Sequence, residues 1–249
     1  MAATVFIKFF PLILIITGLL PSVVWLLIYL RGDIHPEPKK LIVKIFLWGM
    51  LVAPLAVLAQ YLALATLEAS GVAGATLISL LGLAAIEEFL KYLVVKTEIE
   101  DEPDFNEPTD AVVYMIIAAL GFAAVENISI AFSLAPMGNV ETLSANTGSF
   151  LNILKILGVR LLGATLLHAC ASSIVGYALA QRVFAKRRVW IISAGLGGAV
   201  ALHALFNYLI LQSSEIRGAV FFLASLGMAG IIVLMFKRAG RIRILRETL

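Results

Sequence analysis

The sequence predicts an all-α protein, a polytopic bundle of about seven transmembrane helices. Of its 249 residues, 61% are hydrophobic and only 14% are charged. The mean hydropathy is +1.00, whereas a soluble domain needs far more polar surface. Apolar runs long enough to cross a bilayer take up almost the whole length. We therefore expect a single integral membrane domain, residues 1–249, without a soluble appendage.

Each apolar run predicts one span, and short polar turns separate the runs. The first run has no charge and is longer than the core of a signal peptide, so it is interpreted as a helix of the bundle. An acidic stretch before the fourth run ends at Pro108, and proline suits the first turn of a helix. The predicted spans are residues 9–30, 41–67, 73–95, 108–133, 161–181, 189–212 and 219–236.

The run at residues 150–184 is too long for one upright span. As a single helix it would measure about 52 Å, against a hydrocarbon core of ~30 Å. Because Lys155 and Arg160 fall in its first third, we expect residues 150–159 to form an extension outside the hydrocarbon and the fifth span to begin at residue 161.

The turns on one side of the predicted bundle are rich in lysine and arginine, and those on the opposite side hold almost none. By the positive-inside rule this pattern predicts a multi-pass protein of the cell membrane with a cytoplasmic C-terminus. The same bases account for the net charge of +3, so no nucleic-acid partner is expected. The basic residues of this side are Arg31, Lys39, Lys40, Lys96, Arg182, Lys186, Arg187, Arg188, Lys237, Arg238, Arg241, Arg243 and Arg246.

Polar residues inside the third to sixth spans predict a functional core, residues 72–212. A charged side chain near the centre of a membrane helix costs roughly 2.5–3.5 kcal/mol, so it needs a partner or a chemical use. On the last two of these spans the polar pairs are spaced i, i+4, which puts both side chains on one face. The residues are Glu87, Glu88 and Lys91, then Glu126 and Asn127, then His168 and Ser172, then His203 and Asn207. The single cysteine, Cys170, is interpreted as a packing residue.

Peptide hydrolysis is the chemistry that best fits this set. A carboxylate, Glu87 or Glu88, would activate water as a general base. His168 and His203 would orient the water or donate a proton, and Asn207 would stabilise the oxyanion.

The residue types also fit other uses. Two histidines with carboxylates can hold a zinc ion whose bound water is the nucleophile; its ligands would be Glu87 or Glu88, Glu126, His168 and His203. Because Lys91 competes with a cation for the same negative charge, a site without a cofactor is favoured, and Zn²⁺ is the alternative. The same cluster would suit a proton- or ion-coupled transporter. Structural contacts between helices are the remaining interpretation, although such contacts contribute only about 0.6 kcal/mol each.

Four motifs in this order resemble the PrsW family of intramembrane proteases, within the wider group that includes the CAAX prenyl proteases and bacteriocin-immunity homologues. They are Glu87-Glu88-Phe-Leu-Lys91-Tyr92, the stretch from Glu107-Pro-Thr-Asp110 through Gly121-Phe122 to Glu126-Asn127, His168-Ala-Cys-Ala-Ser172 and His203-Ala-Leu-Phe-Asn207. Ala111 and Met115 stand where the family usually has glycine.

The resemblance implies a catalytic four-helix core that cleaves a membrane-anchored protein of the anti-sigma-factor kind, in the lipid bilayer. It assigns the catalytic carboxylate to the Glu87/Glu88 pair and the essential histidines to His168 and His203. Lys91, Glu126, Asn127, Phe122 and Ser172 would support them. The i, i+4 spacing predicts that Lys91 holds Glu87 and leaves Glu88 freer, whereas the likeness to the prenyl proteases slightly favours Glu87 as the base.

Overall fold

The computed structural model describes residues 2–31, 35–69, 77–135, 147–211 and 214–247. All regular structure in these ranges is helical, as predicted. The helices are α1 (Ala2–Arg31), α2 (Lys39–Ala69), α3 (Leu77–Glu98), α4 (Pro108–Leu134), α5 (Thr147–Leu162), α6 (Ala164–Val183), α7 (Trp190–Ile210) and α8 (Ser214–Glu247).

Six helical segments in the described ranges are long and apolar enough to cross a membrane. They correspond to the predicted spans other than the third. That span is α3, which holds Glu87, Glu88 and Lys91 in its middle and is too charged to be counted with the other six. The protein is therefore a polytopic helical bundle, and the predicted span with charges in its middle is the one that carries Glu87, Glu88 and Lys91.

The long apolar run at residues 150–184 is divided close to the position that the sequence predicted. The apolar segment Phe150–Val183 consists of two helices, α5 and α6, which meet at Gly163 with φ −103° and ψ −95°. The break falls two residues after the predicted start at residue 161. As a result Arg160 lies in the last turn of α5, directly before the bend.

Helix α4 lies at the centre of the bundle and packs against α1, α2, α6 and α8. It is apolar on all sides over most of its length, and such a helix is buried on all sides; of the residues from Pro108 to Ala124, only Thr109 is not buried. Its contact with α2 is a backbone contact. A Cβ on Gly121 would lie 2.1 Å from the carbonyl oxygen of Phe46, so only glycine permits this separation.

The fifth and sixth predicted spans, α6 and α7, differ in their burial. Helix α6 is buried along most of its length and packs against α4 and α7. Helix α7 lies at the edge, with Leu205 half exposed, although its His203 face is buried. Small residues allow the two to approach, since a Cβ on Gly195 would lie 2.5 Å from the Cβ of Ala178.

Candidate active site

Glu88 lies at the centre of a buried polar cluster formed by α3, α4, α6 and α7. Its carboxylate is 0% exposed. Oε1 accepts hydrogen bonds from Lys91 Nζ at 2.8 Å and from His203 Nδ1 at 2.9 Å, and Oε2 accepts one from the Ser172 hydroxyl at 3.3 Å. Glu88 is thus fully engaged in holding neighbouring groups.

Glu87 has one occupied and one open oxygen. The Gln60 amide donates to Oε1 at 2.8 Å, whereas Oε2 is buried and has no hydrogen-bond partner among the described residues. This open oxygen lies 3.6 Å from Lys91 Nζ, 3.9 Å from His168 Nδ1 and 3.8 Å from His203 Nε2. A buried carboxylate oxygen without a partner is costly, so this position is where a water molecule or another ligand would be stabilised.

The predicted pairing within α3 is therefore reversed. Lys91 makes its close hydrogen bond with Glu88, three residues before it, and only a longer ionic contact with Glu87. On a helix both the i, i+3 and i, i+4 neighbours are within reach, so spacing alone does not choose between them. The freer carboxylate is Glu87.

The hydrogen bonds of the two histidines indicate which ring nitrogen faces the open oxygen. An ammonium group only donates, so His168 Nδ1 accepts from Lys91 Nζ at 2.7 Å. The opposite nitrogen, Nε2, then donates to Glu126 Oε2 at 2.9 Å. In His203, Nδ1 donates to Glu88, which places Nε2 on the side of Glu87 Oε2. Each ring thus has one nitrogen oriented by a carboxylate, while the other contacts Lys91 in His168 and lies beside Glu87 in His203.

Glu126 and Asn127, both predicted to support the site, are held by Arg160. Its Nη2 donates to Glu126 Oε2 at 3.0 Å and its Nε donates to Asn127 Oδ1. The Asn127 amide in turn donates to the Thr165 hydroxyl at 3.1 Å. The bend at Gly163 brings these groups, from the end of α5 and the start of α6, to the same face of α4.

Gln60 and Arg160 are members of the cluster that sequence reasoning missed. Gln60 lies in the second predicted span and is a lone polar residue in an apolar run, which is the signal that would have found it. Arg160 was interpreted as a mark of a helix outside the hydrocarbon. Arg160 is also a charged residue inside a long apolar run, so the same signal could have placed it in the cluster.

Of the other predicted residues, Phe122 contacts the cluster and Asn207 makes no hydrogen bond to it. Phe122 packs against the cluster, since its ring centre lies 5.6 Å from that of His168 and 4.5 Å from Lys91 Nζ. Asn207 lies one turn beyond His203 on α7 and is partly exposed; among the described residues its amide has no hydrogen-bond partner. Cys170 is buried and free, in agreement with a packing role.

The donor groups fit a metal ion, with one condition. Glu87, Glu88, His168 and His203 each offer a ligand atom, and these atoms lie within 4.8 Å of one another. Metal-bound histidines usually donate their other ring N–H to a carboxylate, as both rings do here. Glu87, Glu88 and Glu126 also outnumber the two cations, Lys91 and Arg160, that pair with them. The condition is that Lys91 Nζ no longer donates to His168 Nδ1, because the ammonium group and a metal ion cannot both use the lone pair of that nitrogen.

Comparison with known proteins assigns the chain to a family. A sequence profile described as "PrsW family intramembrane metalloprotease" matches residues 37–236. A protein named "Protease PrsW" from Geobacillus kaustophilus is 33% identical over 205 residues, which cover 81% of each chain. One of the same name from Clostridioides difficile is 25% identical over 191 residues, or 75% of this chain and 73% of the relative. No solved structure matches the chain.

The profile covers all four motifs and every side chain of the buried cluster. The chain therefore belongs to the PrsW family of intramembrane proteases and is a multi-pass membrane protease.

Proposed function

We propose that this protein hydrolyses a peptide bond of a membrane-anchored protein, with Glu87 as the group that activates water. The observation that carries the proposal is the open Oε2 of Glu87, which is buried and lies 3.8 Å from Nε2 of His203, the ring nitrogen that does not contact Glu88. A water molecule between these atoms donates one proton to each acceptor and directs its lone pair away from both. By resemblance, the substrate is of the anti-sigma-factor kind.

In this mechanism Glu87 takes the proton of the attacking water and passes it to the leaving amine. Glu88 does not change its protonation; it fixes the ring of His203 and neutralises Lys91. Glu126 fixes the ring of His168 in the same way. Asn207, whose amide has no partner within the described part of the chain, is the proposed oxyanion donor.

If a metal ion binds, Glu87, His168 and His203 would hold it, with Glu88 and Glu126 behind the two rings. Such an ion lowers the pKa of a bound water to near 7 and polarises the scissile carbonyl. Elemental analysis and treatment with a strong chelator distinguish the two cases. Activity that survives the chelator in protein free of metal means that Glu87 activates water unaided, and activity restored only by added Zn²⁺ means that the ion is required.

The test of the proposed activity is cleavage of a single-span reporter protein by the purified protein in liposomes. We expect His203→Ala to abolish cleavage because the ring that orients the water is lost. The matched control is His35→Ala, since the side chain of His35 is 61% exposed and lies outside the cluster. Equal cleavage by the two variants would contradict the assignment. Proton or ion flux without cleavage would indicate a transporter instead.

A further inference from the structure

A cleft on the side of the bundle leads to the polar cluster. It has a volume of about 490 Å³ and lies between α2, α4 and α5. On α2 it is bordered by Val57, which is 63% exposed, so the cleft reaches the outer, lipid-facing surface of the bundle.

The inner wall of the cleft is made of residues that touch the catalytic groups. Gln60 lines it and donates to Glu87. Glu126 lines it and accepts from His168. The cleft therefore connects the lipid-facing surface with the side chains that we propose carry out hydrolysis.

Two polar groups on opposite walls match the needs of an unwound peptide. Arg160, on α5, uses Nε and Nη2 for Asn127 and Glu126, and its Nη1 has no hydrogen-bond partner among the described residues. Gln60, on α2, uses its amide nitrogen for Leu83 and Glu87, and its Oε1 likewise has no partner in the described part of the chain. One wall thus offers a donor for a carbonyl and the other an acceptor for an N–H.

A substrate helix must lose its own hydrogen bonds before its backbone can be attacked, and in lipid each lost bond needs a replacement. The remaining lining is largely apolar and includes Ala53 and Val125. The chemistry of the cleft therefore fits an unwound, apolar stretch of a single membrane span.

We propose that the substrate's membrane segment enters through this cleft, and that Arg160 and Gln60 bind its unwound backbone beside Glu87. This inference rests on the proposed proteolytic function. Arg160 Nη1 donates to a substrate carbonyl, Gln60 Oε1 accepts a substrate N–H, and the apolar lining receives the substrate side chains.

The test blocks the mouth of the cleft and leaves the cluster intact. Val57→Trp is compared with Leu58→Trp, since Leu58 is similarly exposed at 57% but does not line the cleft and points about 100° away around α2. The probe is a fluorophore- and quencher-labelled single-span peptide in liposomes, with a leucine- and alanine-rich span interrupted by glycine. We expect Val57→Trp to reduce kcat/KM by at least about tenfold, mainly through KM, and Leu58→Trp to leave it unchanged. Equal kcat/KM for the two variants would refute the cleft as the entrance.

A second measurement does not depend on cleavage. A photoreactive phenylalanine analogue is placed at position 57 or 58 of the Glu87→Gln variant, and the same peptide is added. Crosslinking from position 57 and not from 58 supports the cleft, whereas equal or no crosslinking from both contradicts it. Peptide that crosslinks at 57 while the wild-type protein cuts nothing would leave the binding site valid and disprove the protease assignment.

Discussion

Glu87 and Glu88 are adjacent, yet the structure predicts that replacing each with glutamine has a different effect on stability. Glu88 and Lys91 are both 0% exposed and share a hydrogen bond of 2.8 Å. Breaking one side of a buried ion pair costs about 3–5 kcal/mol. Because the glutamine oxygen can still accept from Lys91 and His203, we expect Glu88→Gln to lie near the lower end, at about 3 kcal/mol.

Glu87→Gln is expected to lower the free energy of unfolding much less. The oxygen that accepts from Gln60 is retained, and the oxygen that is replaced has no hydrogen bond to lose among the described residues. Its ionic contact with Lys91 is long, at 3.6 Å, so we expect a loss of about 1 kcal/mol. The difference in unfolding free energy between the two variants is then about 2 kcal/mol, or roughly thirtyfold in the folding equilibrium.

Both variants are expected to lose cleavage, but for different reasons. Glu87→Gln lacks the base, which costs about 10²–10⁴-fold in kcat, in a protein that is otherwise folded. Glu88→Gln loses the negative charge that neutralises Lys91, together with stability.

The assay combines unfolding in mixed detergent micelles with cleavage of the liposome reporter. Glu100→Gln serves as control, because Glu100 is exposed and lies just beyond the end of α3. The assignment of roles is refuted if Glu87→Gln unfolds as readily as Glu88→Gln, or if it cleaves at the wild-type rate.

Two further predictions follow from other contacts. Arg160→Met should reduce kcat by about 10–100-fold because Glu126 loses its hydrogen bond from Arg160 and then no longer fixes the His168 ring. The control is Lys155→Met, which replaces an exposed base on the same helix and should leave kcat unchanged. Equal rates for the two variants would show that Arg160 is only structural. Gly121→Ala should destabilise the bundle by about 1–3 kcal/mol or more, since the added Cβ would meet the backbone of α2. Gly82→Ala is the control, because nothing lies within 4 Å of the added atom. It should change the unfolding free energy by less than about 0.5 kcal/mol. Detergent unfolding measures both glycine variants, and similar values would disprove the close helix contact.

The sequence by itself determined the fold class and the four helices that carry Glu88, Glu126, His168 and His203. Apolar runs of membrane length are a local property, and hydrogen bonds within each helix satisfy its backbone, so the spans follow from composition alone. Because charge in lipid is costly, Glu87, Glu88 and Lys91 were predicted to be functional. His168 and His203 were predicted for the same reason, since they are histidines inside apolar runs.

Only the tertiary structure decided how these groups are paired. Lys91 can reach either glutamate on its own helix, and the choice of Glu88 depends on the positions of His168 and His203 on other helices. Arg160 and Gln60 join the cluster because the bend at Gly163 and the packing of α2 bring them there, and neither event is encoded in residue spacing. Whether a segment forms a membrane helix depends on residues that are neighbours in sequence. The environment of Glu87 Oε2 depends on contacts between residues that are distant along the chain.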